Sequence, residues 1–195
     1  MTDGKLMGLP DSRAKEPISA VLAGPYAHPL HPILVTLPIG SWVASVVFDV
    51  ASHLGGPADV LAVGARWLLA TGVIGAVAAA CVGFLDFLLI PSRTPAHRTA
   101  VQHMSLNLVV TAGFTASFAW RVGQSPGPVP AGPLLVSLVC LALLVVSGTL
   151  GGRLAYRYGV RVATESVQAE GFEPTGPRDR SKGLAVGRSR TSKGT

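Results

Sequence analysis

Charge is scarce in this chain. Only 13% of its 195 residues are Asp, Glu, Lys or Arg, against roughly 25% in an ordinary soluble domain. With 49% hydrophobic residues, so little charge points to a membrane protein before any segment is inspected. Cysteine is nearly absent. Cys81 and Cys140 stand inside apolar runs with no CxxC pattern, which excludes a disulfide framework and predicts two buried, inert thiols. The phosphate loop, the GxSxG elbow, the HExxH helix and the dinucleotide fingerprint are all missing. "GTLGGR" at 148–153 resembles a glycine-rich loop, but it closes a helix, where exposed carbonyls repel phosphate. With these signatures missing, enzymatic activity is left open and a non-enzymatic role is favoured. The first nineteen residues are polar and mixed in charge. They lack the basic start, apolar core and small-residue site of a cleavable leader, so the first membrane helix is expected to be retained.

What is present in quantity is apolar sequence. Four runs, at about 32–54, 61–90, 99–122 and 133–156, each exceed the roughly 20 residues a helix needs to cross the hydrocarbon core. The links are turn chemistry: "GGPAD", "PSRTPAH" and "GQSPGPVPAGP". Short links predict an all-α, integral membrane four-helix up-down bundle. The expected organisation is a polar N-terminal tail at 1–23, a transmembrane domain at 24–162 and a disordered basic tail at 163–195.

The bases set an orientation. Fourteen of the sixteen lie in the N-terminal tail, the second link and the C-terminal region, leaving only Arg66 and Arg121 on the opposite side. Positive flanks stay inside, so both termini are expected to be cytoplasmic in a bacterial plasma (inner) membrane. Beside apolar spans, the basic tail reads as a contact for anionic lipid rather than nucleic acid.

Small residues recur at fourfold spacing in the second run (Gly72, Ala76, Ala80; Gly75, Ala79, Gly83) and in the fourth (Gly148, Gly152; Ser147, Gly151). Such stripes let helices approach closely in lipid.

Ionisable residues inside a membrane are costly and normally face the bundle interior. His31 and Asp49 are eighteen residues apart, or five helical turns at about 3.6 residues each, so they share a face at opposite ends. Asp49 is expected to form a structural ion pair with Arg66 at the outer end. At the other end, His28, His31, Asp86, His97 and His103 fall at similar depth, with Arg153 and Tyr156 closing the fourth helix. His103, Asn107 and Thr111 form one polar stripe at i, i+4, i+8. Pro32 suits a first turn and places His31 at or beside the N-cap; Pro38 is expected to bend the helix. His28, His31, His103 and Asp86 are candidate cofactor-binding residues, for haem b or quinone. His28, His31 and His103 are candidate ligands for a transition metal. The same histidines could instead cap helices and bond backbone carbonyls. His53, a single interfacial ring, needs no function.

"HPLHPILVTLPIG" (28–40), Asp49, "GFLDFLLIP" (83–91), "HRTAVQHMSLN" (97–107) and "GGRLAYRYGVRV" (151–162) occur in this order. Together they resemble a bacterial membrane family, domain of unknown function 2231, over about 24–162. The resemblance implies a small four-helix membrane protein. Some relatives carry a Rieske-type domain, which implies electron transfer near quinones. This chain lacks the Cys–His motifs of such a domain, so a redox partner would be separate. The functional expectation is a redox-associated subunit binding haem, metal or quinone. Its alternative is a non-catalytic scaffold or interaction protein with structural histidines, alone or as a homo-oligomer.

Overall fold

The computed structural model describes residues 12–15, 29–125, 127–170 and 172. Every regular element among them is helical. A short 3-10 turn (Ser12–Lys15) precedes α1 (Leu30–Leu34), α2 (Thr36–His53), α3 (Ala58–Leu88), α4 (Pro95–Arg121), α5 (Ala131–Tyr156) and α6 (Glu165–Glu170). The chain divides into two units, 1–162 and 163–195. The second holds α6, a short helix within the stretch expected to be a disordered tail. Apart from 163, 164 and 172, the rest of that tail, and most of the N-terminal one, lies outside the described residues.

The helical stretches that start at Leu30, Ala58, Pro95 and Ala131 lead their apolar runs by two to four residues, because the starts are set by local chemistry rather than hydropathy. The Thr94 side chain accepts a hydrogen bond from the His97 amide at 3.1 Å, and Pro95 occupies the first turn, where a missing N–H costs nothing. The break between α1 and α2 at Val35 is placed by Pro38. A proline cannot donate to the carbonyl four residues back and its ring crowds that carbonyl, here Leu34. Hydrogen bonds resume on either side, from the Val35 amide to the His31 carbonyl and from the Ile39 amide to the Val35 carbonyl.

Among the described residues, three helical stretches are long and apolar enough to cross a membrane: Leu30–His53, Ala58–Leu88 and Ala131–Tyr156. At 27 residues, α4 is about 40 Å long but carries Arg98, Gln102, His103 and Asn107, which dilute its apolar character. Within the first unit α2 packs most closely on α3 and α4 on α5. The two hairpins meet through α3–α4 and α2–α5.

The outer surface is apolar: Val47, Trp67, Ile74, Leu108 and Val145 are exposed. Among the described residues the interior holds six buried serines, Asp49 and Arg121. That inversion of the soluble pattern fits lipid as solvent, where serine hydroxyls join helices. The central layer is Trp42, Leu69, Val110, Phe114 and Cys140, with the Trp42 and Phe114 rings stacked 4.3 Å apart. Cys140 is buried as expected, but Cys81 is exposed on α3: its run is apolar all round and does not reveal which face turns inward.

The small residues have unequal roles. A Cβ at Gly72 would collide with the Trp42 indole, and one at Gly75 would lie 3.0 Å from Leu37. Ala79 is buried and Gly83 accepts the His31 ring, so one seam runs through 72, 75, 79 and 83, while Ala80 is exposed. On α5, Ser147 and Gly151 face His103. Gly148 meets nothing within 4 Å.

Candidate functional site

Polar side chains gather at both ends of the first unit. The end bearing the C-termini of α2 and α4 is organised by Asp49 and Arg121. The Arg121 guanidinium donates from Nη1 to Asp49 Oδ1 at 2.6 Å and from Nη2 to Oδ2 at 2.8 Å. This bidentate fork is the strong form of a carboxylate pair. Nη2 also lies 3.2 Å from the hydroxyls of Ser117 and Ser137, which are 3.0 Å apart. Ser117 donates to the Pro133 carbonyl at 3.2 Å. Nearby, Ser52 donates to the Asp49 carbonyl and His53 Nε2 bonds the Val129 carbonyl at 2.9 Å.

The expected Asp49–Arg66 pair is therefore corrected to Asp49–Arg121. Helix phase explains the choice. Val110, Phe114, Ser117 and Arg121 are buried at three- and four-residue intervals along α4, so Arg121 continues an inward stripe. On the first turns of α3 the buried positions are Ala65 and Leu69, and Arg66 is turned about 100° away from Ala65.

At the opposite end, His103 and His31 are each fixed to a backbone carbonyl on a neighbouring helix. His103 Nδ1 lies 2.9 Å from the Ser147 carbonyl on α5, and Asn107 Nδ2 lies 3.1 Å from His103 Nε2. A carbonyl only accepts and an amide NH₂ only donates, so Nδ1 carries the proton and Nε2 is the acceptor. His31 Nδ1 donates to the Ala79 carbonyl of α3 at 2.9 Å. No group among the described residues bonds its Nε2. The two rings approach edge to face with centroids 6.4 Å apart. Gly83 makes room: a Cβ there would lie 2.7 Å from His31 Nδ1. Helix α1 is capped by Pro29, so His31 is its second residue, not its cap.

Asp86 stands apart from both histidines' bonds, in an ion pair with Arg161 at 3.0 Å. The pair relies on proximity rather than an aligned N–H, for among the described residues Arg161 Nε has no hydrogen-bond partner. The Arg161 backbone has φ 58, and its amide donates to the Ala14 carbonyl at 2.9 Å. His97 packs on Phe87, ring centroids 5.0 Å apart. Arg153 and Tyr156, expected to close this layer, are both exposed.

His28 lies outside the described residues. Among those described, no three His, Cys, Asp or Glu side chains gather to hold a metal ion. His103 has no nitrogen to offer haem iron or a metal unless Asn107 lets go of it. Sequence reading missed Arg121 and Arg161. The first was visible in the inward stripe of α4. The second follows α5 in a turn and left no periodic signal.

The family described as "Predicted membrane protein (DUF2231)" matches residues 27–164, most of the chain. No curated protein and no solved structure matches it. The chain belongs to this membrane-protein family.

Proposed function

From that membership, we propose that the protein is a non-catalytic membrane scaffold whose histidines are structural. The observation that supports it is His103, both of whose ring nitrogens are spent inside the bundle, on Ser147 and Asn107. His31 and His53 likewise reach across to carbonyls of other elements. In lipid, a polar group without a protein partner has no water to turn to. His31 and His103 thus act as fasteners between helices, and His53 fastens α2 to the α4–α5 link. A functional ligand site would leave convergent donors open.

We read the scaffold as a four-span bundle in a bacterial inner membrane, with α4 as the fourth span and both termini cytoplasmic. The bias of fourteen bases to one side supports this orientation. Of the polar residues of α4, His103, Asn107 and Arg121 turn to protein partners and do not oppose its spanning. The basic C-terminal segment would meet anionic lipid.

An optical spectrum with elemental analysis of the detergent-purified full chain tests the reading. The expected result is a colourless, metal-free protein, with His31→Ala and His103→Ala variants that fold but melt earlier. A Soret band that responds to dithionite and vanishes in His103→Ala would overturn it.

One observation favours a second reading, a redox-associated subunit that binds a quinone. Among the described residues nothing bonds His31 Nε2, whose lone pair could accept a hydrogen bond from a quinol hydroxyl. Quinone co-purifying with the native chain but not with His31→Ala would establish that reading instead.

A further inference from the structure

Three contacts tie α1 and α2 to α4 at matching heights. His31 meets His103, Trp42 stacks on Phe114, and Asp49 pairs with Arg121. In each pair the partners are 72 positions apart, so the two stretches run parallel and in step. The other two helices run against them. On α3, Gly83, Gly72 and Gly64 lie against His31, Trp42 and Phe48. On α5, Gly151, Cys140 and Gly132 lie against His103, Gly113 and Trp120. These pairings put the residues of all the long helices on one scale of height. Arg153 stands level with about position 100 of α4, close to Arg98. Trp67 stands level with about position 118, close to Trp120. All four side chains are exposed.

The two rims are about twenty residues apart, or about 30 Å of helix, which is the thickness of the hydrocarbon core. Between them no exposed residue of α1 to α5 is charged. Asp86 and Arg66 fall at the rims themselves. Tryptophan concentrates at membrane–water interfaces and arginine at the cytoplasmic boundary, so composition and distance agree. We propose that these rims bound the surface that meets phospholipid: Trp67 and Trp120 sit in one headgroup layer, Arg98 and Arg153 in the other, and acyl chains cover the band between. This rests on the four-span reading and adds a depth for each layer. With the band as long as the core is thick, α4 stands nearly upright. His31 and His103 then lie about 6 Å inside the hydrocarbon edge, while the Asp49–Arg121 pair lies in the opposite headgroup layer.

Fluorescence quenching of the full chain in vesicles of phosphatidylcholine and phosphatidylglycerol tests the tryptophan rim. The probes are lipids brominated either near the carboxyl end or in the far half of the acyl chain. Trp67→Phe and Trp120→Phe change exposed side chains and are expected to fold. The double variant isolates the signal of buried Trp42. Trp67 and Trp120 should each be quenched several-fold more by the shallow bromine than by the deep one, and Trp42 by neither. Spin labels on Arg98→Cys and Leu108→Cys, with Cys81 and Cys140 replaced, test the other rim and the band. The first should respond to a water-soluble nickel chelate, the second to oxygen at the depth of the bilayer centre. Deep quenching of either exposed tryptophan, no quenching of it by lipid, or an Arg98→Cys label hidden from the chelate overturns the proposed belt. In each of those cases a deep label on Leu108→Cys leaves the four-span reading standing. A Leu108→Cys label that meets the chelate overturns both.

Discussion

Asp49 is fully buried and Arg121 nearly so, and each depends on the other. Removing one member of a buried pair leaves an uncompensated charge, at a cost of about 3–5 kcal/mol. Replacing both by apolar residues of similar size is often nearly neutral. Asp49→Ala should therefore lose about that amount in reversible unfolding from micelles. Asp49→Leu combined with Arg121→Met should recover most of it. A double variant as unstable as the sum of its parts would mean the pair is not coupled. His103 is a smaller case. Hydrogen bonds between membrane helices contribute about 1–2 kcal/mol at most, so His103→Ala should cost that much in the same assay. Asn107→Leu should cost less, because the bond to Ser147 survives. Equal losses from the two variants would argue against this division of the ring's bonds.

At the scale of the element, the small residues are expected to respond unequally. Gly72→Ala drives a methyl into the rigid Trp42 ring and should cost about 1–3 kcal/mol, as overpacking does. Gly148→Ala points into open space and should be neutral, or stabilising by up to about 1 kcal/mol through helix propensity. Similar melting temperatures for the two variants would contradict the assigned seam. Sequence made part of this visible. The Pro38 break and the closeness of Gly72 and Gly75 to a neighbour follow from backbone chemistry and spacing. The phase of α3 did not, because a helix apolar on every side has no preferred face in its sequence. That is why Cys81 was expected inside and is exposed. The Asp49 partner was legible in principle, since Arg121 continues the stripe of Phe114 and Ser117. The Asp86 partner was not, because Arg161 reaches it from a turn with a left-handed backbone.

For the whole molecule, the proposed orientation places the α3–α4 link inside and the α4–α5 link outside. Ser92 and Ser125 are exposed on those two links. With Cys81 and Cys140 replaced, Ser125→Cys should react with a membrane-impermeant maleimide on intact spheroplasts. Ser92→Cys should react only after permeabilisation. Labelling of both from the same side would mean that α4 does not cross.

The central claim, that the histidines fasten helices rather than bind a cofactor, is tested most directly by nitrogen NMR of the histidine-labelled full chain in micelles. The account predicts that His103 shows a protonated Nδ1 and a hydrogen-bonded, unprotonated Nε2, with the Nε2 signal shifted in Asn107→Leu. A His103 Nε2 signal displaced by metal or haem iron, or unmoved by the loss of Asn107, would contradict it.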